Sequence, residues 1–316
     1  MSLIKIEDVA FVRFNAPDLG KMRTFLLDFG LVEAQAPEDG VLRMRGAGSA
    51  PYLHETVQGD PGFAGVGLRA ANIADLKVLA DVEGAAVEAL KAPGGGQQVT
   101  ISDPDGIRIT VVAGQTDAPE IIPKDRTDWN NSKARPRARQ TRNPPAGKAT
   151  VMRLGHCVFS TTDLQRSSAW WKDRFGFITS DEVYDGEKKN VAAFMRCDRG
   201  ATLTDHHTIT LSQMGREPGF HHAAFEVVDF DDLMAGHEYL QSRGYVPAWG
   251  VGRHVVGSQI FDYWLDPFGN RMEHWTDGDL FTAEDGTRKV TTDVMLSNHW
   301  GPPPSPAFMN SRSAQS

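Results

Sequence analysis

The chain repeats itself, and that repeat constrains the fold more than any other feature of the sequence. VAFVRFNAPDLGKMRTFLLDFGL (residues 9–31) shares its texture with HCVFSTTDLQRSSAWWKDRFGF (residues 156–177). Each reads as a strand, a loop ending in Asp-Leu, and a helix closed by a Phe-Gly step. Gly30 and Gly176 suit the left-handed position that ends a helix. The match continues downstream, where FAGVGLRAANIADL (63–76) parallels FHHAAFEVVDFDDL (220–233) as a strand leading into a helix. SDPDGIRITVV, from Ser102, parallels LDPFGNRMEHW, from Leu265, in which Asp-Pro-x-Gly makes a tight turn before an alternating strand. Each half therefore holds two βαβββ-like units. The expected class is α+β, with residues 1–115 and 149–300 as two domains of two modules each.

Residues 116–148 break this texture. ARPRARQTRNPPAGK carries almost no aliphatic side chains and cannot bury enough apolar surface to fold alone, so the sequence predicts an extended basic linker. Residues 301–316 are rich in Pro and Ser and are expected to be an extended tail. A net charge of -8 argues against a nucleic-acid partner, because binding phosphates needs a positive surface. No apolar run reaches membrane-spanning length, and the N-terminus lacks the apolar segment of a signal peptide. With only Cys157 and Cys197 available for a disulfide, the expectation is a cytoplasmic protein with reduced thiols and no membrane partner. Exposed module edges favour a homo-oligomer.

Comparing the copies exposes an asymmetry. The second half carries His156, the pair His221-His222, and Glu273 within apolar strand patterns. The first half has Ala10 or Phe11, then Ala64 with Gly65, then Thr110 at the matching places. A fold that packs without these groups in one copy does not need them for packing in the other. Two imidazoles and a carboxylate form the facial triad of non-haem Fe(II) enzymes, with coordination positions left open. Only one of His221 and His222 can ligate if neighbouring strand residues point to opposite faces.

The segment GRHVVGSQIFDYWLDPFGNRMEHW (252–275) resembles the signature of the type I extradiol dioxygenases of the vicinal oxygen chelate superfamily. It has a Gly-x-His turn at His254, Tyr263 nine residues on, the turn Asp266-Pro267-Phe268-Gly269, and Glu273 ten residues after the tyrosine. The resemblance covers nearly the whole chain and is densest over residues 155–275. It implies the vicinal oxygen chelate fold, with the metal site in the C-terminal barrel and none in the N-terminal domain. It also implies His156, His222 and Glu273 as ligands of Fe(II), with Mn(II) able to take the same set. HTITL aligned on the family pattern selects His207 as the acid–base residue over His206, leaving His206 and His221 facing outward. His254 and Tyr263 would hydrogen-bond oxygens of a catechol that reacts with dioxygen.

Relatives that take catechols with a carboxylate arm tend to place Arg five residues before this histidine, where it can hold the acid in two hydrogen bonds. Here Trp249 stands there, which implies an apolar or aromatic ring substituent. Val158 is expected to line the substrate pocket, and Trp170 and Trp171 to pack in the core. Asn298-His299-Trp300 is expected to dock on the surface rather than close over the pocket. The rival expectations are a glyoxalase-like or thiol-transferring metalloenzyme and a metal-free module that sequesters small molecules. Neither would use His207, His254 and Tyr263.

Overall fold

The computed structural model describes residues 2–34, 38–123, 129–143, 146–215 and 217–310. Four βαβββ modules follow one another in the chain. Their helices, Leu19–Asp28, Ile73–Glu83, Leu164–Phe175 and Phe230–Ser242, all start the same way. Asp18, Asn72, Asp163 and Asp229 sit in extended backbone and accept from the backbone N–H three residues on. That satisfies one of the donors a helix N-terminus leaves free. Gly176 ends its helix at φ 74°, and Gly30 follows the first helix at φ 105°.

The Asp-Pro-x-Gly turns also match atom for atom. Asp103 Oδ1 accepts from the amides of Asp105 and Ile107 at 2.9 and 2.8 Å. Asp266 Oδ1 accepts from those of Phe268 and Asn270 at 2.8 and 2.9 Å. Gly106 and Gly269 take φ of 84° and 88° in these turns, the left-handed region where a side chain is penalised.

Each half folds around one large mixed sheet, with a small two-stranded sheet, Thr204–Asp205 on Leu280–Phe281, beside the second. In the second half, Val151–Ser160 pairs antiparallel with Gly219–Val227 at the centre. Ile209–Ser212 runs parallel outside the first of these, and Arg271–Thr276 parallel outside the second. The first half repeats the arrangement with Ile6–Ala16 and Gly62–Ala70 at the centre, flanked by His54–Gln58 and Arg108–Ala113. Two further strands extend the edges of the second sheet, Arg288–Thr291 on Ile178–Tyr184 and Asn298–Trp300 on Pro247–His254. Asn298–Trp300 is thus an edge strand with Trp300 exposed.

One continuous apolar core joins both halves. Joining the halves, the partly buried Phe63 stacks on Phe220 with ring centroids 4.6 Å apart, and Phe14 meets Phe220 edge-on at 5.2 Å. Trp171 is fully buried there and donates to Asp103 at 3.2 Å, while Trp170 packs partly buried against the core.

The described parts of 116–148 form no helix or strand and run over the surface, with Arg142 ion-paired to Asp231. Residues 124–128 and 144–145 of that expected linker, and 311–316 of the expected tail, lie outside the described residues. Where an extended tail was expected, Pro306–Asn310 forms a short helix. Among the described residues no helix is long and apolar enough to cross a membrane.

Candidate active site

Strand register builds the site. His156 lies opposite Ala224, Ala224 opposite Glu273, Glu273 opposite Tyr263, and Tyr263 opposite Trp249. Residues paired across neighbouring strands share a face, so this row of five crosses five strands on the concave side of the second sheet. His222 is two residues from Ala224 and opposite Val158, which puts both on the same face. His156, Tyr263 and Trp249 of this row line a cavity of about 270 Å³, to which His222, Val158, His207, His254 and Phe194 also contribute. A larger cleft of about 790 Å³ lies between the halves, with Asp8, Arg69, Arg153 and Glu226 in its wall. It holds no histidine, and the chemistry is concentrated in the smaller cavity.

His156, His222 and Glu273 are all buried, and their ligating atoms lie within 4.8 Å of one another. Nε2 of each histidine is 3.3 Å from Glu273 Oε2. Neighbouring donors on an octahedral ion with bonds of about 2.1 Å stand about 3 Å apart, so the spacing fits. Glu273 is 0 % exposed and neither of its oxygens receives a hydrogen bond of ordinary geometry. A buried carboxylate without a donor is costly unless a cation compensates it. Burial pushes the Glu273 carboxyl up, but His156 and His222 outweigh that and hold it below the usual carboxylate range. Burial lowers His222 to about 4, so its imidazole is neutral and free to ligate. Ala224 contributes only smallness, leaving space between His156 and Glu273.

The surrounding groups are held as firmly. His254 Nε2 and the Tyr263 hydroxyl are 3.0 Å apart. Burial lowers His254 to about 4 and raises the Tyr263 hydroxyl well above its ordinary value, reinforced by the charge of Glu273. His207 packs on His156 with ring centroids 4.1 Å apart. Burial, then the neighbouring histidines, hold His207 well below its ordinary value, so it is neutral. Trp249 stacks on Tyr263 at 5.7 Å and 16°, and donates its indole N–H to Pro302 O at 2.9 Å. Phe308, from the short helix Pro306–Asn310, packs on Trp249 and Tyr263 at 4.7 and 4.9 Å.

Two expectations fail for local reasons. His221 does not face outward, because the register slips between Phe220 and His222 and makes His221 the extra residue of a bulge. Both imidazoles therefore reach the cavity, with their Nδ1 atoms 2.7 Å apart. His206 is likewise not outward-facing, since His206-His207 is a bend between two short strands rather than part of either. It is 0 % exposed, bonded to Asp181 through Nε2 and to His207 through Nδ1. Sequence reasoning missed Asp181, Ala224 and Phe308 entirely. Ala224 could have been found from its counterpart Gly67, since a small residue at this place in both copies marks a crowded crossing.

A family model described as the Glyoxalase/Bleomycin resistance protein/Dioxygenase superfamily matches residues 153–274, the stretch that contains the row. The chain is 27% identical over 303 residues to metapyrocatechase 2 of Cupriavidus necator, covering 92% of this chain and 90% of that protein. It is 24% identical over 319 residues to an iron-dependent extradiol dioxygenase of Rhodococcus jostii, covering 94% and 97%. Among solved structures, homoprotocatechuate 2,3-dioxygenase of Brevibacterium fuscum superposes with a TM-score of 0.80 at 19% identity, over 99% of this chain and 94% of that one. The Mn(II)-bound glyoxalase of Novosphingobium aromaticivorans superposes as well, at 0.79 and 19% over 98% and 96%. Because the fold is common to a dioxygenase and a glyoxalase, it does not choose between them; the site must.

Proposed function

We propose that this chain is an extradiol dioxygenase of the vicinal oxygen chelate superfamily, opening the ring of a catechol with an apolar or aromatic substituent at an Fe(II) ion that His156, His222 and Glu273 would hold. The observation that carries this reading is the buried Glu273 carboxylate, which accepts no hydrogen bond of ordinary geometry and has the Nε2 atoms of His156 and His222 each 3.3 Å from one oxygen, at the edge of a cavity that His207 also lines. Such an ion would supply a Lewis acid that lowers the pKa of a catechol hydroxyl and open positions for substrate and dioxygen.

The chain's own groups do the rest. His207, neutral and against His156, can take a proton from the substrate and return it to oxygen when the O–O bond breaks. The His254–Tyr263 pair offers hydrogen bonds to a substrate oxygen from the other side of the cavity. Trp249, Val158 and Phe308 form an apolar wall for the ring substituent. Both atoms of dioxygen end in the product, a ring-opened semialdehyde or keto acid, and no external reductant is consumed. Mn(II) would fit the same donors.

The reading is tested by loading the protein anaerobically with Fe(II) or Mn(II) and following oxygen uptake across substituted catechols. One dioxygen consumed per catechol, a yellow product without NADH, and preference for alkyl or aryl over carboxymethyl substituents are expected. A cis,cis-muconate product would sink the extradiol assignment. Preference for the acidic catechol would sink the substrate assignment.

A further inference from the structure

We propose that His206, anchored by Asp181, is a positioning residue that fixes His207 in the tautomer protonated on Nδ1, so that a bare Nε2 is presented to the cavity. The proposal follows from counting donors along one chain of contacts. Arg288 Nε and Nη2 donate to Asp181 Oδ1 and Oδ2 at 2.9 and 2.8 Å. Burial pushes the Asp181 carboxyl up, but His206 and Arg288 outweigh it and hold it below the usual range, so it is an acceptor only. His206 Nε2 lies 2.7 Å from Asp181 Oδ2, so that nitrogen must carry the hydrogen. Arg288 already supplies the cation that balances Asp181, so one N–H on the His206 ring completes that contact and leaves His206 Nδ1 as an acceptor. Among the described residues the hydrogen-bond partner of that atom is His207 Nδ1 at 3.0 Å, so His207 donates from Nδ1. Its Nε2 is then unprotonated, the state a proton acceptor needs.

The surroundings hold the His206 ring in place. Asp181 and His206 are both 0 % exposed. The His206 amide donates to Asp279 O at 2.9 Å. Phe194 and Phe281 flank its ring at 5.7 and 5.6 Å. Gly257, at φ 79°, lies so close that a Cβ there would come within 3.1 Å of His206 Nδ1. When His207 gains a proton at Nε2, its Nδ1–H already points down a chain that ends in a carboxylate. The same contacts that set the tautomer therefore stabilise the imidazolium, without any proton moving along them. This is the role a buried aspartate plays behind the histidine of a serine protease, extended here by one imidazole.

The tautomer claim stands on geometry alone, while its effect on turnover rests on the acid–base reading of His207. The two are separated by measuring both. In the metal-free protein labelled with ¹⁵N-histidine, long-range ¹H–¹⁵N correlations should show His207 protonated at Nδ1. Asp181→Asn keeps the shape but offers an amide donor to His206, which reverses the chain and should move the His207 proton to Nε2. In the Fe(II)-loaded enzyme, Asp181→Asn should lower kcat at least tenfold with KM within about threefold. His206→Leu should do the same, and His206→Asn, which can still place an oxygen acceptor near Nδ1, should recover part of the loss. A wild-type His207 protonated at Nε2, or an Asp181→Asn protein with unchanged tautomer and kcat, would overturn the proposal. The wild-type spectrum decides even if a variant does not fold. An Nδ1–H tautomer in a protein that turns over no catechol would uphold the positioning and remove the acid–base reading instead.

Discussion

The two sheets share one backbone frame and fill it in opposite ways. Where the second carries the row His156–Ala224–Glu273–Tyr263, the first carries Phe11–Gly67–Thr110–Thr100, paired in the same register. The Phe11 ring lies so close over Gly67 that a Cβ there would meet it at 2.3 Å. Phe11 also packs with Tyr52, Leu90 and Val112, so hydrocarbon occupies the cup that the second sheet keeps empty. Thr110 and Thr100 hydrogen-bond each other at 3.2 Å, whereas Glu273 has no such donor. Beside Phe11, Arg13 and Arg43 both pair with the buried Glu55, so the one carboxylate of that cup is satisfied by protein. The lesson is that the fold tolerates a packed cup or an open one, and that an open cup with an unmatched carboxylate is a place prepared for a cation.

The largest effect expected from this contrast is at the proposed ligands. His156→Ala, His222→Ala or Glu273→Ala should each take metal content from about one ion per chain to near zero and activity to background. They should leave the circular dichroism spectrum in place, because the other copy shows that the frame needs none of them. Retention of a full equivalent of iron by any one removes that residue from the site. Next comes His207→Asn, which should keep iron and bind catechol yet lower kcat by about a hundred- to ten-thousandfold. A normal kcat would pass the proton role elsewhere.

Phe11→Ala sharpens the comparison from the other side. Emptying the packed cup should lower unfolding free energy by about 3–5 kcal/mol in denaturant titrations, with iron content and kcat unchanged. A comparable fall in kcat at full folding would show the halves to be functionally coupled. The smallest effect is expected for His221→Ala. The His221–His222 contact occupies Nδ1 of His222, leaving Nε2 toward Glu273, so under the proposed function its loss should weaken iron affinity about ten- to a hundredfold. Unchanged affinity in a metal-competition titration would reduce His221 to a cavity wall.

Much of this was legible in the sequence because the repeat supplied its own control. Aligning the halves picked out His156, the pair His221-His222 and Glu273, with the family resemblance choosing His222 of the pair, and register now shows that the counterpart of His156 is Phe11 rather than Ala10. The spacing from His254 through Tyr263 to Glu273 was readable because those residues lie on consecutive antiparallel strands, where distance in sequence fixes distance across the sheet. What failed was side-chain direction. Period-two alternation holds only inside a regular strand, so the bulge at His221 and the bend at His206 each turned inward a histidine that alternation sends outward. Asp181 was invisible because its partner His206 lies 25 residues away in a bend between two other strands, and no local pattern announces such a contact. Phe308 was missed because a Pro- and Ser-rich stretch gives little sign of the short helix it forms.

The cross-strand row also carries a consequence for time. His156 and Glu273 meet across Ala224, although 117 positions separate them in the chain (273 minus 156). Contacts of that span form only after a long loop has closed, later than helices and hairpins. An ion seeking this row finds nothing to bind early in folding, so it cannot act as a nucleus. Ferrous salt in a refolding mixture should leave the folding rate alone and instead slow unfolding, lengthening the lifetime of a native state that already exists.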